Sequence, residues 1–260
     1  MARPRNKEYY EMRNIWTIAR REIKLYFGSP IAYIVGLLIF LITGIYFVLT
    51  VYLAGQAAYT TGSTSAPGPD LVVGLMVFLF LFAVPALSMR LMADEHRNGT
   101  LELLLTAPIH ESELVIGKWL GSFLFVFLII LVTFIYPIVL NGLVTPGIDQ
   151  GLMMANYLAI TLVAASFLAI GTAISSFFNN QFAAFFATLA VLFFMWVVIG
   201  WPAVVMQGNG ASIFTYLSMS NHFTSMQTGT VALSDIVYYL SLTSLGLFLG
   251  TVAVEIRRWK

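Results

Sequence analysis

The chain has 260 residues, of which 10% are charged and 59% are hydrophobic, and its mean hydropathy is +0.88. A soluble globular protein carries about 25% charged residues, so this chain has too little polar surface to cover a soluble fold of its size. The net charge of +1 offers nucleic-acid phosphates almost no field. The absence of cysteine excludes disulfide frameworks, thiolate zinc sites and cysteine nucleophiles. The composition therefore predicts an integral membrane protein that does not bind nucleic acid.

The first predicted element is an amphipathic helix at residues 12–27. Its apolar residues fall within one arc at about 100° per residue, and Glu22 is the one charge that intrudes on that arc. A basic polar face opposite a face that carries Trp is typical of a helix in the membrane interface, and the alternative is a solvated basic arm. We predict residues 1–28 to be a cytoplasmic N-terminus with an interfacial helix, whose interfacial residues are Ile15, Trp16, Arg20, Arg21, Ile23 and Lys24.

Residues 29–260 form the predicted transmembrane domain. A membrane helix needs roughly 20 largely apolar residues, and six stretches of the sequence meet this requirement. Their approximate limits are 31–53, 71–91, 119–140, 152–178, 182–206 and 236–254. The first stretch is too long for a signal-peptide core, so we expect it to remain in the mature chain. The predicted fold class is an all-α integral membrane protein with six transmembrane helices.

The charges predict the orientation of these spans. All 13 Lys and Arg residues lie before span 1, between spans 2 and 3, or after span 6, and six spans place all of these segments on one side. The positive-inside rule makes that side cytoplasmic, with both termini inside. Asp70, Asp149 and Asp235 stand just before the three spans that start outside, where an acidic residue stabilises a helix N-terminus.

Small residues recur at helical spacing in the later spans, at Ala165, Ala169 and Ala173 and again at Ala183 and Ala187. Such stripes let helices approach closely in lipid, which favours internal packing of the bundle over a subunit interface or a transport path. Pro85 in span 2 indicates a packed kink, with a moving joint as the alternative.

Chemistry within the membrane is disfavoured because no ionisable residue falls near the middle of a predicted span. Ion-coupled carriers and proton pumps usually need such a residue. His96 and His110 fall on one side of the membrane and His222 on the other, so the three cannot bind one metal ion. No paired nucleophile and base is visible either. We therefore predict no catalytic residue and no metal site.

The loop between spans 2 and 3 contains a short predicted helix at residues 100–106, which Pro108 ends. Leu101, Leu104 and Leu105 lie on one side of this helix, beside Glu102. Such a helix can dock into a groove on another protein, and the alternative is that the leucines rest on the bilayer surface. From these residues alone, the two interpretations are equally supported.

The same loop resembles the coupling-helix region of ABC-2-type transporter permeases. The resemblance lies in Glu95, in Gly99-Thr100, in Glu102-Leu103-Leu104-Leu105-Thr106, in Pro108 and in Gly117-Lys118. The helix at 12–27 resembles the elbow helix of that family. Residues 221–239 and 255–259 are most similar to its gliding-motility-associated branch. One departure is His110, where relatives often have a Ser or Thr that could cap span 3.

The resemblance implies a transport subunit that works with other chains. A separate cytoplasmic ATPase subunit would bind ATP and Mg. This chain has no G-x-x-x-x-G-K-[ST] motif around Gly117-Lys118, since Ser112 stands where the first Gly is needed and Trp119 where Ser or Thr is needed. A second permease copy, identical or paralogous, would complete the path near spans 2 and 5. The coupling helix, at about 99–108, would contact the ATPase through Gly99, Thr100, Leu101, Glu102, Leu103, Leu104, Leu105, Thr106 and Pro108.

The resemblance also implies an external gate at about residues 207–234, a segment without Lys or Arg. The family places short re-entrant helices here, and the predicted gate residues are Phe214, Tyr216, Leu217, His222 and Phe223. His222 is expected to be structural, because no second metal ligand is near it in sequence. An accessory protein on the external face is a further candidate partner.

The predicted function is therefore export of a lipid-like, glycan or amphipathic compound across the cytoplasmic membrane of a prokaryote, with ATP hydrolysed by the partner subunit. Two alternatives come from other classes. A membrane scaffold would recruit a cytoplasmic partner without transport, and an ion-coupled carrier would transport without ATP.

Overall fold

The structure is a computed structural model that describes residues 5–61, 67–68, 70–93, 110–205 and 209–258. All regular structure in these residues is helical. The helices are α1 Arg5–Phe27, α2 Pro30–Thr61, α3 Asp70–Ser88, α4 Glu111–Thr133, α5 Ile135–Leu143, α6 Gln150–Phe177, α7 Gln181–Phe193, α8 Trp201–Val205, α9 Asn209–Leu217, α10 Met219–Gln227 and α11 Leu233–Arg258.

Six helical stretches are long and apolar enough to cross a membrane, which confirms the predicted fold class. They are Pro30–Thr60, Asp70–Ser88, Glu111–Leu143, Gln150–Phe177, Gln181–Val198 and Leu233–Ile256. The third stretch consists of α4 and α5, and the fifth consists of α7 and one π-helical turn at Phe194–Val198.

The fifth stretch ends earlier than the sequence pattern indicates. The apolar run continues to residue 206, but the helix stops after the π-helical turn, and α8 is a separate short helix. Pro202 explains this break, because its ring would clash with the carbonyl of Val198 and it has no N–H to donate. At the second position of α8, the same proline is tolerated, since the first N–H groups of a helix have no partner within it.

Helix α6 is the centre of the bundle. In the most apolar 18-residue stretch of α6, 78% of the residues are buried. The corresponding stretches of the two peripheral spans, α2 and α7, are each 17% buried. The core around α6 includes Phe80, Leu81, Ile130, Ile160, Phe167, Leu168, Leu192 and Tyr239.

Helices α6 and α11 approach closely because small residues face each other. A Cβ atom at Gly246 would lie 2.8 Å from the Ala169 carbonyl carbon, and one at Gly250 would lie 3.4 Å from the Ala173 Cα atom. The expected role of the Ala165–Ala173 stripe in internal packing is therefore correct. On α7, however, the buried face contains Ala184 and Thr188, and the predicted pair is only half-buried.

The three predicted acidic caps take different forms. Asp149 is the N-cap of α6, and its Oδ1 accepts hydrogen bonds from the backbone N–H groups of Gly151 at 2.8 Å and Leu152 at 3.1 Å. Asp70 is the first residue of α3. Asp235 lies in the first turn of α11, but its carboxylate contacts His222 instead of the helix backbone.

We expect Asp149→Ala to destabilise the protein by about 1 kcal/mol, because two backbone donors of α6 lose their acceptor. Asp149→Asn keeps a side-chain oxygen at the cap and is the matched control. Equilibrium unfolding in mixed micelles measures both free energies. Equal losses for the two variants would contradict the capping role.

Candidate functional site

Helix α1 packs against the start of α4 through two glycines of α4. A Cβ atom at Gly117 would lie 2.8 Å from the Ile18 Cβ, and a Cβ atom at Gly121 would lie 2.6 Å from the Glu22 Cβ. Small residues four positions apart allow two helix backbones to approach to this distance. Gly117, the first residue of the Gly117-Lys118 part of the family motif, therefore allows α4 to pack closely against α1.

A buried ion pair joins the same two helices. The Lys118 ammonium lies 3.0 Å from Glu22 Oε1, and the two side chains belong to residues that are only 2% and 6% exposed. The ammonium also donates a hydrogen bond to the Leu91 carbonyl at 2.5 Å. One charged group thus connects α1, the chain that leaves α3 and the beginning of α4. Glu22 faces the apolar side of α1 because its partner is there.

Two further bonds link the α1–α2 junction to the end of α3. The Tyr26 hydroxyl donates to the Leu87 carbonyl at 3.0 Å, and Arg90 Nη1 donates to Ser29 Oγ at 2.6 Å. Burial, together with the nearby Glu22 carboxylate, raises the pKa of Tyr26 well above its ordinary value. Its phenol therefore stays protonated and keeps its donor role.

The chain is also held on both sides of residues 94–109. Before them, Ser175 Oγ of α6 accepts hydrogen bonds from the backbone N–H groups of Met92 and Ala93, each at 3.2 Å. After them, Glu113 Oε2 accepts from the His110 backbone N–H and from Asn14 Nδ2, each at 3.2 Å. A small separate core reinforces this region with Met92, Leu114, Val115 and Val254. We call these contacts, with the Glu22–Lys118 pair, the loop base.

Some of the predicted site residues lie in the described part of the structure, and others do not. The predicted coupling residues, Gly99 to Thr106 and Pro108, lie outside the described residues. Of the predicted interfacial residues of α1, Trp16, Arg20, Arg21 and Lys24 are exposed, while Ile15 and Ile23 are half-buried. The buried face of α1 contains Ala19, Glu22 and Tyr26, so only part of the predicted apolar arc remains exposed.

The other end of the bundle carries the short helices expected before the last span. Of the residues predicted there, His222 and Phe223 are buried, Phe214 is half-buried, and Tyr216 and Leu217 are exposed. Among the described residues, no three His, Asp or Glu side chains lie close enough together to bind a metal ion.

Helix α10 connects the last third of the chain to the starts of α3 and α6. Gln227 Nε2 donates to the Asp70 carbonyl at 3.0 Å, and Asn156 Nδ2 donates to the Gln227 carbonyl at 3.2 Å. The ring of Phe223 contacts Trp196 of the π-helical turn, with a centroid distance of 5.5 Å. Sequence reasoning missed this arrangement because the side chains involved are uncharged.

A bundle of six apolar, membrane-length helices defines a multi-pass integral membrane protein. The sequence model of the family described as ABC-2 family transporter protein matches residues 16–256, which is most of the chain. The chain therefore belongs to the ABC-2 transporter family, and the resemblance stated from its loop motif is confirmed.

Two curated relatives are each named "Probable ABC transporter permease protein NosY". The protein from Stutzerimonas stutzeri is 27% identical over 190 residues, and the protein from Pseudomonas aeruginosa is 28% identical over 188 residues. The alignments cover 70% and 69% of this chain and 66% of each relative, so the chain spans slightly less than two thirds of their length. The similarity to the gliding-motility-associated branch stays a prediction.

Proposed function

We propose that this chain is the membrane-spanning permease subunit of an ABC transporter and that a separate cytoplasmic subunit hydrolyses the ATP. Family membership and the permease names of its relatives support this function. The loop base is the structural observation that carries it. In the proposed complex, residues 99–108 contact the ATPase, and the bundle receives their movement through the loop base.

The loop base is suited to this transmission because it ties both flanks of the loop to the same helix. Lys118 connects the Leu91 carbonyl to Glu22 of α1, and Glu113 connects the His110 backbone to Asn14 of α1. Ser175 connects the first flank to α6, the central helix. A force on the loop therefore reaches α1 and the core together, through bonds that are mostly buried.

The proposed path lies between two copies of the permease, beside α3 and α7. These two helices pack against each other and expose Phe78 and Phe82 on α3 and Phe182 and Phe186 on α7. Such a surface favours a lipid-like or amphipathic compound over a glycan without a lipid part. Export, with both termini in the cytoplasm and α9–α10 as the external gate, completes the proposal.

The first test is purification of the full chain from its native membrane in mild detergent, with mass spectrometry of the proteins that accompany it. We expect a stoichiometric P-loop ATPase with the wild type. Glu102→Arg combined with Leu104→Asp should abolish this association, because the change places charges on the proposed contact. The matched control is Gln56→Arg with Tyr59→Asp near the end of α2, where Tyr59 is 93% exposed.

The outcomes separate the competing functions. An ATPase that is lost with the loop variant and kept with the control supports the permease. Equal losses in both variants would indicate general damage and contradict a specific contact. A partner that binds the loop but hydrolyses no ATP favours the scaffold. Transport that survives ATP depletion and collapses with the ion gradient favours the ion-coupled carrier.

A further inference from the structure

His222 lies buried where α9, α10 and α11 meet. Its Nδ1 is 2.7 Å from Asp235 Oδ1 on α11, and its Nε2 is 2.8 Å from the Tyr216 carbonyl oxygen in the last turn of α9. The histidine itself belongs to α10. One imidazole therefore joins the two short helices to the beginning of the last membrane-length helix.

For His222 to make both of these hydrogen bonds, the His222–Asp235 pair must hold two protons. A backbone carbonyl only accepts, and an ionised carboxylate only accepts, so both ring nitrogens of His222 must donate. Alternatively, Asp235 carries the proton that lies between the two side chains, and His222 Nε2 still donates to Tyr216. In both forms, the pair holds one proton more than a neutral histidine beside an ionised aspartate.

Two helix ends and one aromatic ring lie against the His222–Asp235 pair. The Tyr216 carbonyl lies at the C-terminal end of α9, where the helix dipole attracts a positive charge, and Asp235 lies in the first turn of α11, where the dipole attracts a negative charge. The Tyr238 ring stacks on the imidazole at a centroid distance of 4.1 Å, and an aromatic face attracts a cation.

His222 is one of three side chains that bond the last carbonyls of α9. Asn221 Nδ2 donates to the Thr215 carbonyl at 3.2 Å, and the Tyr238 hydroxyl donates to the Leu217 carbonyl at 2.6 Å. These carbonyls have no partner within their own helix. The docking of α9 therefore depends on donors from α10 and α11. Of these three side chains, only His222 has a ring nitrogen that changes from donor to acceptor when the ring loses a proton.

The remaining titratable groups on the packed elements make other contacts. The Tyr216 ring lies nearly perpendicular to the imidazole, and the Tyr239 hydroxyl donates a hydrogen bond to the Met219 carbonyl at 2.7 Å. On α6, Tyr157 donates to the Thr133 carbonyl and Asp149 caps its own helix. The π-helical turn packed on α10, Phe194–Val198, carries no titratable residue.

We propose that His222 and Asp235 form a proton-dependent latch that holds α9 against α10 and α11. With the second proton, both bonds of His222 are made. Without it, the remaining ring proton stays on Nδ1 because the bond to the carboxylate is charge-assisted and stronger. The Nε2 lone pair then faces and repels the Tyr216 carbonyl oxygen. The end of α9 keeps only its bonds to Asn221 and Tyr238 and becomes looser, while α10 stays joined to α11. As a regulator of the external gate, the latch rests on the proposed function.

The absence of cysteine from the chain allows a direct test with spin labels. Ile213→Cys on α9 and Val237→Cys on α11 are both at exposed positions, and the full-length protein with labels at these sites reports the distance between the two helices. We expect a single short distance at about pH 5.5 and a shift to longer, broader distances at about pH 8.5, on either side of the range in which histidine normally titrates.

Two variants of the labelled protein test whether the second proton of the His222–Asp235 pair controls the position of α9. In Asp235→Asn, the amide Nδ2 donates to His222 Nδ1, so a neutral ring keeps its proton on Nε2 for Tyr216, and α9 should stay docked at both pH values. In His222→Phe, the longer distances should appear at both. A wild-type distance that does not change with pH would overturn the latch, as would the same pH response in Asp235→Asn or a docked α9 in His222→Phe. The distance measurement needs no ATPase, so the latch and the permease assignment can fail separately.

Discussion

Replacement of Lys118 by methionine should destabilise the protein by about 3–5 kcal/mol, which is the usual cost of removing one partner of a buried ion pair. The Lys118→Met variant leaves the Glu22 carboxylate buried without its counter-ion and the Leu91 carbonyl without its donor. Glu22→Gln should be milder, because the amide oxygen still accepts a hydrogen bond from the ammonium. Equilibrium unfolding in mixed micelles, followed by tryptophan fluorescence, measures the two losses.

A double variant separates stability from transmission. When both charges are replaced by apolar groups, as in Glu22→Leu with Lys118→Met, the desolvation cost of the pair disappears, and much of the stability should return. The tie between Leu91 and α1 stays broken. In the proposed complex with an ATPase subunit, we therefore expect the double variant to remain assembled but to lose the effect of this chain on the rate of ATP hydrolysis. An unchanged rate in a stable double variant would contradict transmission through Lys118.

The number of spans was predictable because it depends on local properties of the sequence. A membrane-crossing helix needs a long apolar run, and six such runs are separated by polar or glycine-rich segments. Helix ends were less predictable where the chain stays apolar. The run around Pro202 is the example, since hydropathy does not register the loss of a backbone donor that ends the helix.

The loop base was only partly predictable. The sequence marks Glu22 as a charge on an apolar face and Lys118 as a charge beside a membrane span, but 96 positions separate the two residues. Their pairing depends on how α1 crosses α4, which Gly117 and Gly121 permit. The same limit applies to His222. Its partners are a carboxylate 13 positions away and a backbone carbonyl, and a backbone acceptor has no signature in a sequence.

Replacement of Gly246 by a larger residue should also destabilise the protein strongly, because the backbones of α11 and α6 are in contact at this position. A Cβ atom at this position would lie 2.8 Å from the carbonyl carbon of Ala169 and 3.0 Å from its oxygen. A flexible side chain could move away, but the backbone of the central helix cannot move without disturbing the core around it. We expect Gly246→Leu to cost at least the roughly 1–3 kcal/mol that overpacking typically costs. Its yield of folded protein should also fall.

Gly55→Leu is the matched control, because a Cβ atom at Gly55 in α2 would meet nothing within 4 Å. The same side chain is added to a membrane-length helix in both cases, so a difference in stability reports the contact and not the hydrophobicity of leucine. A further comparison identifies which atoms of α6 exclude a larger side chain at position 246. In Gly246→Ala, removal of the facing methyl group by Ala169→Gly should restore only part of the stability, since the 2.8 Å contact with the Ala169 carbonyl carbon remains. Complete restoration would show that the two methyl groups, and not the helix backbones, set the distance between α6 and α11.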